Sequence, residues 1–223
     1  MWFLPTRNRP QACRELLAAM QSTEIPKVTV MIDGPPYEID WPAHWRIHQS
    51  EEHLEMQRAL NLLYKLYPNE PWYGLITDHS RPVTKNWSTL IEKEVEPFSV
   101  ILVNDTKNRL HPDSGLRRIT SASAYGGELV RTLGWVWLNT VVHMYGDDAW
   151  ERIGHVLGIK YLPDVIVKDL LVREGEIQRD GNHDRLYRGR AYIAGDRFSY
   201  GKWLKDFPRL IEKLKALKKA LKK

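Results

Sequence analysis

The sequence predicts an α/β fold in which helices cover a mostly parallel central sheet. At 223 residues with 43% hydrophobic content, the chain is long enough for one well-packed domain. Apolar runs of strand length alternate with segments whose apolar residues recur at helical spacing. Several of these runs end in polar turns that contain Gly or Pro. Strands that alternate with helices are typical of a parallel sheet, and ligands collect at the carboxyl ends of its strands.

The first half of the chain carries the alternation most clearly. Trp2 to Leu4 is a short apolar run, and Arg9 to Met20 has apolar residues at helical spacing. Lys27 to Ile32 is β-branched and apolar, ends at an Asp-Gly-Pro-Pro turn, and is followed by another strand. Glu51 to Tyr67 is then expected to be a helix and Trp72 to Ile76 a strand.

The second half is predicted to contain two further helices. Gly146 precedes an Asp pair and begins one of them. Before it, Trp135 and Trp137 would share one side of a strand if that stretch is extended. The other helix follows Phe207, where leucines at helical spacing alternate with lysines. Such a pattern predicts a basic amphipathic helix at the end of the chain.

The positive charge of the chain is concentrated in its last residues. The formal net charge is +5, but residues 202–223 contain nine Lys or Arg and two acids, which leaves about −2 for the rest. The high pI therefore belongs to this segment, which weakens any assignment of the whole protein as a nucleic-acid binder. Cys13 is the single cysteine and no long apolar run occurs, so we expect a cytoplasmic protein with no transmembrane segment.

Three polar clusters follow predicted strands. They are Pro5-Thr6-Arg7-Asn8-Arg9, Asp33-Gly34 and Asp78-His79-Ser80-Arg81-Pro82. Each cluster alone is also what an ordinary loop contains, and the arginines have the alternative of pairing with helix carboxylates. Together they supply donors for a diphosphate, an acceptor for a base or ribose, and a carboxylate for a divalent cation.

These stretches resemble a known family. WFLPTRNRP, VMIDG and WYGLITDHSRPVTKNWSTL look like the nucleotide-binding half of a GT-A-type glycosyltransferase, similar to the family-2-like enzymes. HMYGDDAWERIGHVLGIKYLPDVIV is similar to the acceptor-side helix and the next strand of that family. The resemblance implies one GT-A-like domain over residues 1–200, with a nucleotide-sugar half at 1–103 and an acceptor half at 104–200. The basic helix at 201–223 would follow it.

The resemblance also assigns roles to particular residues. Thr6, Arg7 and Arg9 would contact the diphosphate of a nucleotide-sugar, which is expected to be UDP-linked, and Asp33 would meet the base or its ribose. The remaining nucleotide-sugar contacts would come from Pro5, Asn8 and Arg81.

The metal position departs from the family pattern. A second carboxylate usually stands near the first, whereas His79 and Ser80 follow Asp78 here. Asp78, His79 and Asp169 are the predicted ligands of Mn²⁺ or Mg²⁺, with His183 as an alternative to Asp169. Arg81 or Lys85 are alternatives that would take over part of the ion's work on the leaving diphosphate.

Asp147 and Asp148 are the predicted catalytic residues, one of them as the base that takes the acceptor proton. The alternative is that both simply favour the start of a helix. The favoured acceptor is a hydroxymethylated base in phage DNA, and the alternatives are a polysaccharide or a lipid-linked acceptor. The basic helix would correspondingly dock on the body, lie on an anionic membrane or hold a nucleic-acid backbone. A non-catalytic GT-A-like binding protein is the alternative to an enzyme.

Overall fold

Eight strands form one mixed sheet within residues 1–107, 118–119, 122–170, 175 and 190–221, which are the residues that this computed structural model describes. The sheet order is β3-β2-β1-β4-β7-β6-β8-β5. Neighbours are parallel from β3 through β4 and between β6 and β8, and antiparallel elsewhere. The strands are β1 Trp2–Thr6, β2 Val28–Asp33, β3 Arg46–Ser50, β4 Trp72–Ile76, β5 Ser80–Pro82, β6 Val100–Asn104, β7 Ala122–Gly126 and β8 Ile159–Asp169.

Helices cover both faces of this sheet, which confirms the predicted α/β class. They are α1 Pro10–Thr23, α2 Met56–Leu66, α3 Trp87–Glu94, α4 Gly127–Leu133, α5 Gly146–Leu157 and α6 Arg190–Ala220. Helices α1 and α3 pack on one face, and α2, α4, α5 and α6 pack on the other.

The alternating side chains of β1 show why two core layers form. Trp2 and Leu4 point into the layer under α1 and α3, while Phe3 points into the opposite layer. All three side chains are fully buried. A strand that is apolar on both faces is typical of the centre of a sheet covered on both sides. This arrangement leaves the carboxyl ends of β1, β2 and β4 as the edge where polar groups emerge.

Two predicted elements differ from the observed ones. The helix expected from Glu51 begins only at Met56, because β3 ends at Ser50 and the intervening residues form a loop at the sheet edge. The stretch around Trp135 and Trp137 is not a strand. Its backbone is held by Asn61 of α2, whose side chain accepts the Trp137 N–H at 3.1 Å and donates to the Trp137 carbonyl at 2.7 Å. A side chain therefore takes the place of a neighbouring strand.

The C-terminal helix docks on the body through Tyr200, Ile211 and Leu214, which are buried. It runs from Arg190 to Ala220, so the predicted boundary between residues 200 and 201 falls inside it. None of the helices among the described residues is long and apolar enough to cross a membrane.

Candidate functional site

A cleft of about 310 Å³ opens where β1, β2 and β4 end. The last residues of these strands and the loops after them contribute Pro5, Thr6, Arg7, Arg9, Asp33, Thr77, Asp78 and His79 to its walls. Parallel neighbours end at the same edge of a sheet, and this is why three clusters that are distant in sequence meet here. The loop after β3, the start of α2 and His143, which precedes α5, also line the cleft.

Asp78 is the buried centre of one wall. Its carboxylate accepts a hydrogen bond from the Thr6 hydroxyl at 2.8 Å and lies 3.5 Å from an Nη atom of Arg9. The same Arg9 nitrogen lies 2.7 Å from Nε2 of His79 and donates to it. The Tyr37 hydroxyl accepts the Arg9 backbone N–H at 3.0 Å, which fixes the start of this loop. Arg9 is therefore held by groups from two separate loops, those after β2 and β4.

The Asn8 position explains one part of the polar loop after β1. Asn8 has φ of 53°, in the left-handed region that Asn tolerates better than most residues. Its side chain is exposed and does not line the cleft among the described residues. The turn at Asn8 carries Arg7 and Arg9 to opposite parts of the cleft, where Arg7 meets Asp33 and Arg9 meets Asp78.

Asp33 holds the other wall of the cleft. Its carboxylate accepts the Leu54 backbone N–H at 2.8 Å and lies 3.0 Å from Arg7 Nη1 and 2.9 Å from His53 Nδ1. Burial raises the pKa of Asp33 above its ordinary value, and the Leu54 and Arg7 contacts act in the opposite direction. Asp33 thus positions Arg7, His53 and the loop after β3, in addition to any ligand contact of its own.

His53 bridges two carboxylates at the edge of this wall. Its Nε2 lies 2.8 Å from Oε1 of Glu55, while its Nδ1 faces Asp33. An imidazolium, with both nitrogens protonated, can donate to both partners. His53 and Glu55 both line the cleft, and so does Arg7. This side of the cleft therefore contains Arg7, His53 and the carboxylates of Asp33 and Glu55 in one network of contacts.

Comparisons with solved structures identify the architecture. A mannosyltransferase, PcManGT from Pyrobaculum calidifontis in complex with GDP-Man and Mn²⁺, matches with a TM-score of 0.59 and 14% identity over 92% of this chain and 64% of that one. GalNAc-T7 with UDP, GalNAc and Mn²⁺ matches with a TM-score of 0.57 and 9% identity, covering 75% of this chain and 43% of that one. S. aureus TarS matches with a TM-score of 0.56 and 14% identity, covering 74% of this chain and 35% of that one.

This chain has a GT-A fold. It spans less than two thirds of the length of each of these three proteins. No family model and no curated protein matches the sequence. At these identities the likeness concerns the fold, so the chemistry of the cleft has to be argued from its own residues.

The GT-A fold places Asp78 and His79 at the end of β4, with their side chains adjacent. Oδ1 of Asp78 lies 3.4 Å from Nε2 of His79. Two neighbouring ligands of an octahedral ion with bonds of about 2.1 Å are about 3 Å apart, so the separation of this pair is close to that of two cation ligands, while Arg9 contacts both atoms in this structure. Among the described residues no group of three or more His, Cys, Asp or Glu side chains is arranged to hold a metal. The remaining positions of such an ion would fall to phosphate oxygens and water.

Asp169 lies next to this pair but on a different strand. It is the last residue of β8 and stands opposite Ser80 in the antiparallel pairing with β5. The backbone N–H of Leu170 donates to the His79 carbonyl at 3.2 Å, which joins the two chain segments. Asp169 is buried and does not line the cleft. The alternative ligand His183 lies outside the described residues.

Arg81 points away from the cleft of the GT-A domain. Its guanidinium donates to the carbonyls of Asp78 and Ser80 and lies 2.5 Å from a carboxylate oxygen of Glu15 on α1. Pairing with a helix carboxylate was the alternative considered for Arg7 and Arg9, and here it occurs at Arg81. In this position Arg81 supports the loop that carries Asp78. A contact between Arg81 and a nucleotide stays a prediction.

Asp147 and Asp148 occupy the first turn of α5, as predicted. The Arg118 guanidinium lies 3.7 Å from Asp147, 3.8 Å from Asp148 and 3.3 Å from Glu151. Burial raises the pKa of Glu151 above its ordinary value. Neither aspartate lines the cleft within the described part of the chain, whereas His143, which comes just before this helix, does. The catalytic role of the two aspartates remains a prediction.

Sequence reasoning missed His53, Glu55 and His143. The first two follow β3, a mostly exposed edge strand whose sequence RIHQS lacks an apolar run. Recognising β3 as a parallel strand would have placed the residues after it at the same edge as Asp33. His143 is brought in by α6, because the Asp196 carboxylate accepts the backbone N–H groups of Val142, His143 and Met144 at 2.7, 2.9 and 2.8 Å. Nothing local in the sequence signals that contact.

Proposed function

We propose that this chain is a glycosyltransferase that moves a sugar from a nucleoside-diphosphate sugar to a hydroxyl acceptor. The observation that carries the proposal is the convergence of Arg7, Arg9 and Asp78 on one cleft at the carboxyl edge of the sheet. The GT-A fold supports it, because matched proteins of this fold hold GDP-Man with Mn²⁺ and UDP with Mn²⁺.

The donor would lie with its diphosphate between the two arginines. Arg9 contacts Asp78 and His79, and Arg7 contacts Asp33. A diphosphate would compete for these guanidinium groups with charge-assisted, forked hydrogen bonds. A shift of Arg9 toward phosphate would release the Asp78 and His79 atoms that now face it. Binding of the donor and exposure of this pair would therefore be linked.

Asp78 and His79 would hold a divalent cation, with Mn²⁺ favoured over Mg²⁺ by the imidazole nitrogen. When bound, such an ion neutralises charge on the diphosphate leaving group. The arginines supply part of the same stabilisation from the protein itself. Asp169 and Arg81 stand behind the pair and would act by holding the loop in place.

The acceptor proton needs a base on the opposite side of the cleft. Asp147 and Asp148 are the proposed candidates, although both carboxylates now face Arg118. His143 is the titratable side chain from this part of the chain that lines the cleft among the described residues. Transfer assays of Asp147→Asn, Asp148→Asn and His143→Gln separate the three. The base is the residue whose loss lowers kcat and removes the acidic limb of the pH profile while donor affinity is kept.

Calorimetry with UDP, GDP and their sugar conjugates, with and without Mn²⁺, tests the donor half. Arg9→Gln is expected to weaken binding at least about tenfold, because it removes a charge-assisted contact of about 1.5–3 kcal/mol. Asp78→Asn is expected to remove the added affinity that Mn²⁺ gives, because it removes the anionic ligand of the cation. Arg14→Gln is the matched control, since Arg14 lies on α1 and contacts the Glu38 carbonyl outside the cleft. If no nucleotide or nucleotide-sugar binds the folded protein, the proposal fails.

Time-dependent release of free nucleoside diphosphate then distinguishes an enzyme from a binding protein. Saturable donor binding with no turnover on any acceptor supports the non-catalytic alternative. Duplex DNA that contains hydroxymethylated bases, the acceptor favoured by the sequence, is assayed beside polysaccharide and lipid-linked acceptors. Sugar incorporation into one of these classes identifies the acceptor. We also propose that the enzyme acts in the cytoplasm.

A further inference from the structure

The outer face of α6 carries a stripe of four exposed cations that begins at an exposed phenylalanine. Phe198, Lys202, Lys205, Arg209 and Lys213 follow one another at intervals of three or four residues, and all five are exposed. This spacing places them on one side of the helix. We call these five residues the α6 ridge. With a rise of 1.5 Å per residue, the ridge is roughly 22 Å long.

The ridge points away from the protein body. The opposite side of α6 is anchored by Tyr200, Ile211 and Leu214, which are buried in the core. Near the end of the helix, the Lys218 ammonium group donates to the Leu157 carbonyl at 2.6 Å, which ties the last turns to the end of α5. The helix is therefore fixed in rotation, and its position is not that of a detached tail.

The cations of the ridge are available to an external anion. Within the described residues, no carboxylate lies within ion-pair distance of Lys202, Lys205, Arg209 or Lys213. The Lys202 ammonium lies over the Phe198 ring, 4.5 Å from its centre. The residues before 202 have a formal net charge of about −2, so the positive potential is confined to this helix. A partner would have to be anionic and to meet the protein at one flat or gently curved face.

An exposed aromatic side chain within the ridge favours a lipid surface over a nucleic acid. Phe198 is 65% exposed and lies at the N-terminal end of the ridge, next to Lys202. Its ring would gain by entering the headgroup region of a bilayer, where basic amphipathic helices lie parallel to the surface. It would gain little from a phosphate backbone.

We propose that the α6 ridge is a docking surface for an anionic lipid bilayer. The helix would lie parallel to the membrane with its lysines at the phosphate level and its buried side on the protein body. This inference does not depend on the proposed function, since it rests on the outer face of α6 and not on the cleft. The docking surface and the cleft are nevertheless connected through α6, because Asp196 on the same helix holds the loop that places His143 in the cleft.

Vesicle sedimentation of the full chain tests the proposal. The vesicles are pure phosphatidylcholine or a mixture containing phosphatidylglycerol, each at low and high salt. We expect binding only to the anionic vesicles, with a marked loss at high salt. Each Lys or Arg near an anionic surface contributes about fivefold to partitioning, so Lys202→Gln, Lys205→Gln, Arg209→Gln and Lys213→Gln together should lower it at least about 100-fold.

The matched control removes four exposed cations elsewhere, by Lys27→Gln, Lys65→Gln, Lys93→Gln and Lys168→Gln. It has the same net charge as the ridge variant and should retain most of the binding. Phe198→Ser should weaken the binding that persists at high salt. Circular dichroism and urea unfolding confirm that each variant is folded, and Lys205→Gln alone gives a smaller, graded loss if the fourfold variant is not.

Three results would overturn the proposal. One is equal vesicle binding by the ridge variant and the control variant. Another is equal binding of the wild-type protein to neutral and anionic vesicles. The third is tighter binding to a duplex DNA oligonucleotide than to anionic vesicles, lost in the ridge variant, which would assign the surface to nucleic acid. Donor-nucleotide calorimetry on the same variants should be unchanged, so a failure here is distinguishable from a failure of the proposed function.

Discussion

Replacing Asp196 with asparagine should destabilise the protein more than any exposed charge substitution on the same helix. The Asp196 carboxylate is 2% exposed and accepts three consecutive backbone N–H groups, Val142 on Oδ1 and His143 and Met144 on Oδ2. An amide keeps one oxygen. If that oxygen replaces Oδ2, the new NH₂ group faces the Val142 N–H and leaves it without an acceptor in a buried place.

The expected loss follows from these contacts. A hydrogen bond to a charged group contributes about 1.5–3 kcal/mol, and an orphaned buried donor costs a further amount of similar size. One lost bond and weakened neighbours give a loss of about 2–4 kcal/mol for Asp196→Asn. This loss is a large fraction of the total unfolding free energy, which is about 5–15 kcal/mol for native proteins. For a chain of this size it corresponds to a Tm lower by about 5–12 °C.

Urea unfolding followed by tryptophan fluorescence measures the change, with Asp206→Asn as the control. Asp206 is on α6 as well but is exposed, so its substitution should stay within about 0.5 kcal/mol of wild type. Asp196→Asn should also weaken donor binding or transfer, because it loosens the loop that carries His143. An Asp196→Asn protein that unfolds within about 0.5 kcal/mol of the Asp206→Asn protein would refute the reasoning.

Three further predictions concern other parts of the fold. A Cβ atom at Gly201 on α6 would meet no atom within 4 Å, so Gly201→Ala should raise the unfolding free energy by about 0.5–1 kcal/mol. A Cβ atom at Gly74 would lie 2.3 Å from the Trp2 ring. Gly74→Ala should therefore lower the unfolding free energy by at least about 1–3 kcal/mol in the same urea titration. Burial raises the pKa of Glu151, so its charged form disfavours the native state; the wild type should lose stability relative to Glu151→Gln as pH rises from about 4.5 through the raised value, and a constant difference between pH 4.5 and 7 would contradict this. Asp33→Asn removes the charge that holds Arg7 and His53, so calorimetry should show about tenfold weaker donor binding, and an unchanged Kd would show that neither side chain depends on Asp33.

Local pattern was sufficient for the elements that bury apolar residues. The strand from Trp72 to Ile76 was predicted with its observed bounds, and α1 was predicted to within three residues at its end. Both are governed by side-chain periodicity, which is a short-range property of the chain. The polar groups after β1, β2 and β4 were also recognisable, because parallel strands deliver their carboxyl ends to one edge.

Pattern was insufficient where long-range contacts set the structure. The loop at His53 is fixed by a hydrogen bond from Leu54 to Asp33, and the stretch at Trp137 is held by Asn61. Asp33 and Asn61 are too far along the chain from these stretches to be found from the local spacing of apolar residues. The direction of Arg81 toward Glu15 was likewise set by the packing of α1 against β5.

The sequence by itself determined the fold class, the edge of the sheet at which polar groups gather and the cationic character of the last helix. These depend on hydrophobic alternation, turn residues and charge, which act locally. Only the tertiary structure decided which side chains face one another across the cleft, namely Arg9 with Asp78 and His79, and His53 with Asp33. It also decided that α6 presents its cations outward while Asp196 reaches the cleft loop. Such pairings require segments that are distant along the chain to close together, and only the packed core supplies the free energy for that closure.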